Sequence, residues 1–160
     1  MARSQPIELF MPPHMLKAKV GPGGPGLDLA AIARAETAVE EIRDQFSEWA
    51  AADVERLMAA RARFGKTPDA ASRAALLRAA HDLKGQAATY DFPMIAKVAA
   101  SLSRLIGELP EAKVLPLGLV DAHVSAIHVI HRDKVTDASN KMALALSSEL
   151  ETQVETALNS

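Results

Sequence analysis

The chain of 160 residues contains no cysteine, which excludes disulfides, thiolate metal sites and a cysteine nucleophile. Aromatics are few at 4%, confined to Phe10, Phe46, Phe64, Phe92, Trp49 and Tyr90. There is no basic excess: 18 Lys and Arg stand against 20 Asp and Glu, a formal net charge of −2. Such a surface lacks the cations that neutralise a phosphate backbone, so general DNA or RNA binding is disfavoured. No stretch reaches the roughly 18 apolar residues of a membrane span. The first residues do not form a signal peptide either, because Pro12, Pro13, His14 and Lys17 interrupt them. A soluble, cytoplasmic chain is therefore expected. It is long enough for one domain with a useful core.

What is present is apolar and helix-forming. Hydrophobic residues make up 49%, mostly Ala and Leu. Residues 1–27 stand apart as an arm. Five of the nine prolines and four of the eight glycines lie there, ending in Gly21-Pro22-Gly23-Gly24-Pro25-Gly26. Neither a helix nor a central strand survives such a composition, and an extended arm is expected, with Ile7-Glu8-Leu9-Phe10-Met11 apolar enough to pack. The Gly-Pro run is no nucleotide cradle, because proline lacks the amide donor that a phosphate needs.

Residues 28–160 read as one helical domain. Asp28 is the expected cap of a helix reaching about Arg63, with Ile32, Val39, Ile42, Phe46, Trp49, Leu57 and Met58 as its apolar stripe. Trp49 and Phe46 are expected as core anchors. At on the order of 50 Å this helix would outrun its partners, which leaves open a bend or split near Arg43–Ser47. Gly65 is the expected left-handed stop, Thr67 the next cap and Pro68 the first turn. The following helix should run to about Thr89. A third should start at Asp91-Phe92-Pro93, with Ile95, Val98, Leu102, Leu105 and Ile106 inward, and end near Gly107. Pro110 and Pro116 bracket a connection to a helix carrying Leu117, Val120, Val124, Ile127 and Ile130 to about Lys134. Asp137 should cap a last helix with Met142, Leu146, Leu150, Val154 and Leu158 on its face. With no strand pattern and no internal repeat, the expectation is all-α: an antiparallel four-helix bundle with an additional helix.

One histidine sits off the core side. On the second helix Leu76, Ala80, Leu83 and Ala87 share a face, and His81 lies roughly 120° from its centre at 3.6 residues per turn. It should stand at the surface. Its neighbours one turn away are mostly small (Ala74, Gly85 and Ala88, with Leu77), and Arg78 and Lys84 flank it. A neutral imidazole is a nucleophile that can carry a phosphoryl group on nitrogen. Lys84 at i+3 could meet the charge of the phosphoryl oxygens. Glycine at i+4 costs a helix about 1 kcal/mol against alanine, which makes sense if a bulky partner must approach the ring.

His81-Asp82-Leu83-Lys84-Gly85-Gln86-Ala87-Ala88 resembles the His-x-x-Lys-Gly motif of histidine-containing phosphotransfer domains. The match continues through Thr89-Tyr90-Asp91-Phe92 into Ile95-Ala96-x-x-Ala99-x-x-Leu102, with Asp91 standing where many members carry glycine. The resemblance implies His81 as phosphoacceptor, Lys84 as phosphate stabiliser and Gly85 as the clearance residue. Arg78, Ala88 and Ala74 complete the expected docking patch. It also implies a phosphorelay intermediate between receiver domains of a hybrid sensor kinase and a response regulator, whose aspartate and Mg²⁺ belong to those partners. No cofactor of its own, no kinase activity and a monomeric state are expected. Two other readings stay open: a helical adaptor or dimerisation module in which His81 is incidental, and a phosphoacceptor domain like that of chemotaxis kinases, phosphorylated by a separate ATP-binding domain. The 160 residues leave no room for such a domain, which favours a freestanding relay protein.

Other constellations are weaker. His128 and His131 are one turn apart, but His123 is about 140° round from His128 and no acidic set completes a ligand pattern, so all three are expected as flanking or surface positions and no metal is expected. Glu40, Glu41, Asp44 and Glu48 read as a solvated face rather than as acid–base carboxylates.

Overall fold

The computed structural model describes residues 29–160, with side chains from residue 30, so the expected arm at 1–27 and the Asp28 cap lie outside the described residues. Five helices and no strand occupy that range: α1 (Leu29–Lys66), α2 (Ala70–Gln86), α3 (Pro93–Glu108), α4 (Leu117–Arg132) and α5 (Lys141–Asn159). The fold is all-helical. Two units divide the chain, Met1–Val39 and Glu40–Ser160. In the first, the described residues are helical and exposed, and the Thr37 hydroxyl donates to the Ala33 carbonyl at 2.9 Å. The second holds the core.

That core is built on α3, which buries Met94, Ile95, Val98, Ala99, Leu102, Leu105 and Ile106 and packs against α2, α4 and α5. Proline at its first turn fits the backbone there, since that amide has no helical partner. The ends of the helices meet in a consistent order. Arg73, early in α2, donates to the carbonyls of Ile106 (2.9 Å) and Leu109 at the end of α3. Arg61, late in α1, forms a two-pronged pair with Asp121, early in α4, at 2.6 and 2.9 Å. Arg104 of α3 reaches Glu155 of α5 at 3.7 Å.

Several sequence expectations are corrected. α1 is one continuous helix with no break near Arg43–Ser47, and Gly65 stays inside it rather than ending it in the left-handed region. Its buried side is Ala50, Asp53, Val54, Leu57 and Phe64. Of the expected stripe only Leu57 is buried; Ile32, Val39, Ile42, Trp49 and Met58 are exposed, and Phe46 is half-buried. The seam begins at Ala50, one position on from the exposed Trp49. Thr67 is not the cap of α2 and Pro68 precedes the helix. Asp69 takes that position (φ −116°, ψ 171°), accepting from the Ser72 amide at 2.6 Å while the Ser72 hydroxyl accepts from the Asp69 amide at 3.1 Å.

The regular turns of α2 end at Gln86, not Thr89. A further turn closes on Asp91 at φ 65°, where the Phe92 amide bonds to the Ala87 carbonyl at 2.8 Å and the Asp91 amide to Ala88 at 3.3 Å. This is the Schellman closure, and its left-handed residue is commonly glycine; aspartate tolerates it better than most. α4 ends at Arg132 in the same way, with Lys134 at φ 50° and the Val135 amide on Ile130. Leu117 at its start is exposed. Asp137 does not cap α5; it bonds to the Ser139 amide and hydroxyl, and Asn140 caps the helix by accepting from Ala143 at 3.0 Å. The buried face of α5 is Ala143, Ser147, Leu150 and Val154, with Met142 and Leu146 exposed. A strict four-residue step drifts about 40° per repeat on a 3.6-residue helix, which carries Met142 and Leu146 off the core.

Candidate functional site

α2 divides cleanly. Leu76, Ala80, Leu83 and Ala87 are wholly buried, and His81, Lys84, Gly85, Arg78, Ala74 and Ala88 are all exposed on the rest of its surface. The helix therefore presents the imidazole outward on a rigid backbone, with no hydrogen bond to another described residue. Leu77 below it is half-buried. A Cβ built on Gly85 meets no heavy atom within 4 Å. Among the described residues, packing does not require glycine at this position.

A groove flanks the histidine on each side. One lies between α1 and α2 and is lined by Asp53, Arg56 and Ala60 with Arg78, Ala79 and Asp82. Here Asp53 is buried and ion-paired to Arg56, and its Oδ2 has no partner among the described residues. The other lies on the α3 side, where Leu77 and Lys84 face Lys97, Ala100 and Arg104. Leu77 and Lys84 are the residues one turn before and after His81, so this groove runs along the side of α2 next to it. Arg104 is engaged by Glu108 and Glu155, whereas Lys97 makes no ion pair among the described residues. The six sequence-derived residues thus share one exposed face, with Arg78 toward one groove and Lys84 toward the other. Arg56 and Lys97 were missed. They come from other helices, and a local motif carries no trace of them.

The aromatic residues expected in the core sit beside this helix instead. Phe46, Trp49 and Tyr90 form a trio with ring centroids 5.7 to 5.9 Å apart, and Trp49 is exposed. The Tyr90 hydroxyl donates to Gln86 Oε1 at 3.0 Å.

The remaining histidines separate by environment. His123, expected near the surface, is wholly buried. Its Nδ1–H donates to the Leu119 carbonyl at 2.7 Å, and Nε2 then accepts from the Ser101 hydroxyl at 3.1 Å. Burial lowers its pKa from the ordinary histidine value, partly opposed by the bond to Leu119. His128 is exposed, and His131 packs on Phe92 at 5.4 Å and lies 3.4 Å from the Ser47 carbonyl. Among the described residues no three potential ligands gather where a metal could bind, and no helix is long and apolar enough to cross a membrane.

A helical domain that lifts one histidine above a cationic, small-residue surface has the form of a phosphotransfer module. A family model for the Hpt domain matches residues 41–132, more than half of the chain, and the chain belongs to that family. The match covers most of α1 and all of α2, α3 and α4. No curated protein and no solved structure matches the chain. Histidine phosphotransfer in phosphorelay signalling, in exchange with receiver domains of two-component systems, is the role the family assigns.

Proposed function

We propose that His81 accepts a phosphoryl group from an aspartyl phosphate on the receiver domain of a hybrid sensor kinase and passes it to the receiver aspartate of a response regulator, in the cytoplasm. In the first transfer the unprotonated ring nitrogen attacks phosphorus. The N–P bond forms as the P–O bond to the receiver's carboxylate breaks, and the carboxylate leaves. In the second, another aspartate attacks and the N–P bond breaks. Mg²⁺ is held by the receiver, not by this chain. Lys84 meets charge on the phosphoryl oxygens, Gly85 leaves clearance for the receiver, and Arg78, Ala88 and Ala74 form the docking patch around them.

The observation that carries this reading is the pairing of an exposed His81 with an unhindered Gly85 one turn on, within the span matched to the family. Supporting it is the framework we infer, an antiparallel four-helix bundle of α1 to α4 with α5 as the additional helix. The meeting of Arg73 with the end of α3, of Arg61 with Asp121 and of Ser101 with His123 fits that topology.

The test is incubation of the whole chain with radiolabelled phosphoryl-receiver domains. Label should appear on the chain, labile to acid and stable to alkali as a phosphoramidate is. His81→Gln should abolish it while the helical circular-dichroism spectrum is kept, since the side chain lies outside the core. Labelling retained by that variant reassigns the site, with His128 the next to replace. Labelling from ATP and Mg²⁺ without a receiver would refute the relay reading.

A further inference from the structure

α2 and α3 lie side by side and run in opposite directions. At one end the Arg73 guanidinium donates to the Ile106 carbonyl at 2.9 Å, and a Cβ on Gly107 would stand 3.7 Å from Leu77 Cδ1. At the other end the Phe92 amide donates to the Ala87 carbonyl at 2.8 Å. Counting inward from these ties sets Lys97 level with Lys84 and Gly85, one turn beyond His81. Lys97 is exposed, while Val98 and Ala99 next to it are buried. The groove between the two helices is uneven in charge. Arg104, one turn before Gly107, is engaged by Glu108 at 3.3 Å and Glu155 at 3.7 Å. Lys84 and Lys97 line the same groove, and neither makes an ion pair or a hydrogen bond among the described residues. Glu151 lines it as well and pairs with neither lysine, and Asp82 lies toward the opposite groove. Two free ammonium groups thus share one side of the site.

We propose that Lys97 decides which receivers dock, its ammonium pairing with a carboxylate on the receiver's docking face. A partner that closes over Gly85 must also cover Lys97, since the two are level. Covering an unpaired ammonium strips away its water and returns nothing unless the partner brings an anion. A receiver with a carboxylate at that point is accepted, and one with an apolar or basic residue there is rejected. The transferred phosphoryl group is not the anion concerned. Lys84 already stands one turn from the ring on the ring's own helix, whereas packed helix axes lie roughly 8–10 Å apart. Lys84 meets the phosphoryl oxygens, and Lys97 meets the partner. This assignment rests on a receiver docking over His81 and Gly85, as proposed above.

The test uses the full chain and the phosphorylated receiver domain that labels it best. Lys97→Glu should raise the KM for that receiver about tenfold with kcat nearly unchanged, and Lys97→Ala should raise it less. Lys97→Arg keeps the charge and should stay near the parent. Added salt should lower kcat/KM of the parent, and the dependence should be shallower in Lys97→Ala. All three variants should take label from phosphoramidate at the parental rate and hold phosphohistidine as long, because a small donor has no docking face. A parental KM in a folded Lys97→Glu protein overturns the proposal. Slower labelling by phosphoramidate, or a shorter phosphohistidine lifetime, in Lys97→Ala overturns it too, by putting the ammonium on the phosphoryl group. Label retained by His81→Gln, or no label from any receiver, is a separate failure: it ends the phosphotransfer reading and this proposal with it.

Discussion

Gly85→Gln separates stability from docking more sharply than any other substitution. In a helix interior glutamine is favoured over glycine by roughly 0.6 kcal/mol. Gly85 is the penultimate residue of α2, however, with the looser turn at 87–91 just beyond it. Only about half of that preference should be realised, which raises Tm by about 1–2 °C for a domain of this size. No packing term opposes the gain, since an added Cβ meets nothing within 4 Å. The functional effect runs the other way. Transfer requires the attacking nitrogen and phosphorus about 3–3.5 Å apart and in line, and a displacement of 1 Å costs about a hundredfold. A five-atom side chain one turn beyond His81 would hold a docked receiver off by at least that much. Transfer from a phosphorylated receiver, followed by quenched-flow autoradiography, should fall by about two orders of magnitude. Phosphorylation by a small donor such as phosphoramidate should change far less, because it needs no docking surface. A variant as heat-stable as the parent that still exchanges phosphate at the full rate would show that receivers do not approach over Gly85, and the docking model would be discarded.

Lys84→Ala should slow transfer or shorten the phosphohistidine lifetime while leaving stability within about ±0.5 kcal/mol, as exposed substitutions usually do; unchanged kinetics would remove Lys84 from the mechanism. Asp69→Ala removes the side chain that caps α2 and should lower Tm by a few degrees in calorimetry. The Ser72 amide, then the Ser72 hydroxyl, hold the Asp69 carboxyl below its usual range, so its contribution is complete above the unfolded-state value and fades as pH falls through the lower folded value. His123→Ala should cost about 2–4 kcal/mol, because it opens a cavity and strips partners from Ser101 and the Leu119 carbonyl. With its folded pKa lowered by burial, His123 binds a proton more readily in the unfolded chain, so stability should decline as pH drops below about 6.5, and urea titrations of the variant should show a flatter pH dependence.

The parts of the fold written most plainly in the sequence are α2 and α3. There, Leu and Ile mark one side at helical spacing, and the face opposite Leu76 and Leu83 needed only the 3.6-residue period to place His81 outside. α1 was harder for a physical reason. Its buried seam passes through Ala50, Asp53 and Val54, whereas Trp49 and Ile42, which dominate any hydrophobicity reading, face outward. Size was mistaken for burial. Caps failed similarly: Thr67 and Asp137 are good capping residues by type, but Ser72 three residues after Asp69 and the Ala143 amide three after Asn140 decide which residue caps. Asp91 was legible as a turn position, while its left-handed φ and the Ala87–Phe92 bond depend on how α3 packs. Arg56 and Lys97 needed the assembled helices, for each reaches its groove from an element distant in sequence.

His123 was legible and was overlooked, and its contrast with His81 shows where the chemistry resides. Val120, His123, Val124 and Ile127 follow one another at steps of three, one and three, all on one face of α4, so a histidine there had to be enclosed. Enclosure then dictated both ring nitrogens: one proton is given to Leu119, and the remaining lone pair is occupied by the Ser101 hydroxyl. A nucleophile needs a lone pair with a path to phosphorus, and the lone pair of His123 is occupied and enclosed. His81 has the same ring, but no hydrogen bond to any other described residue and open solvent around it, because Ala80 and Leu83 take the buried positions on either side of it in sequence. Moving the histidine one position back, to 80, or two positions on, to 83, would bury it. The proposed phosphoacceptor is therefore defined less by its residue type than by its angle on α2, and the fully buried Leu76–Ala80–Leu83–Ala87 face is what fixes that angle.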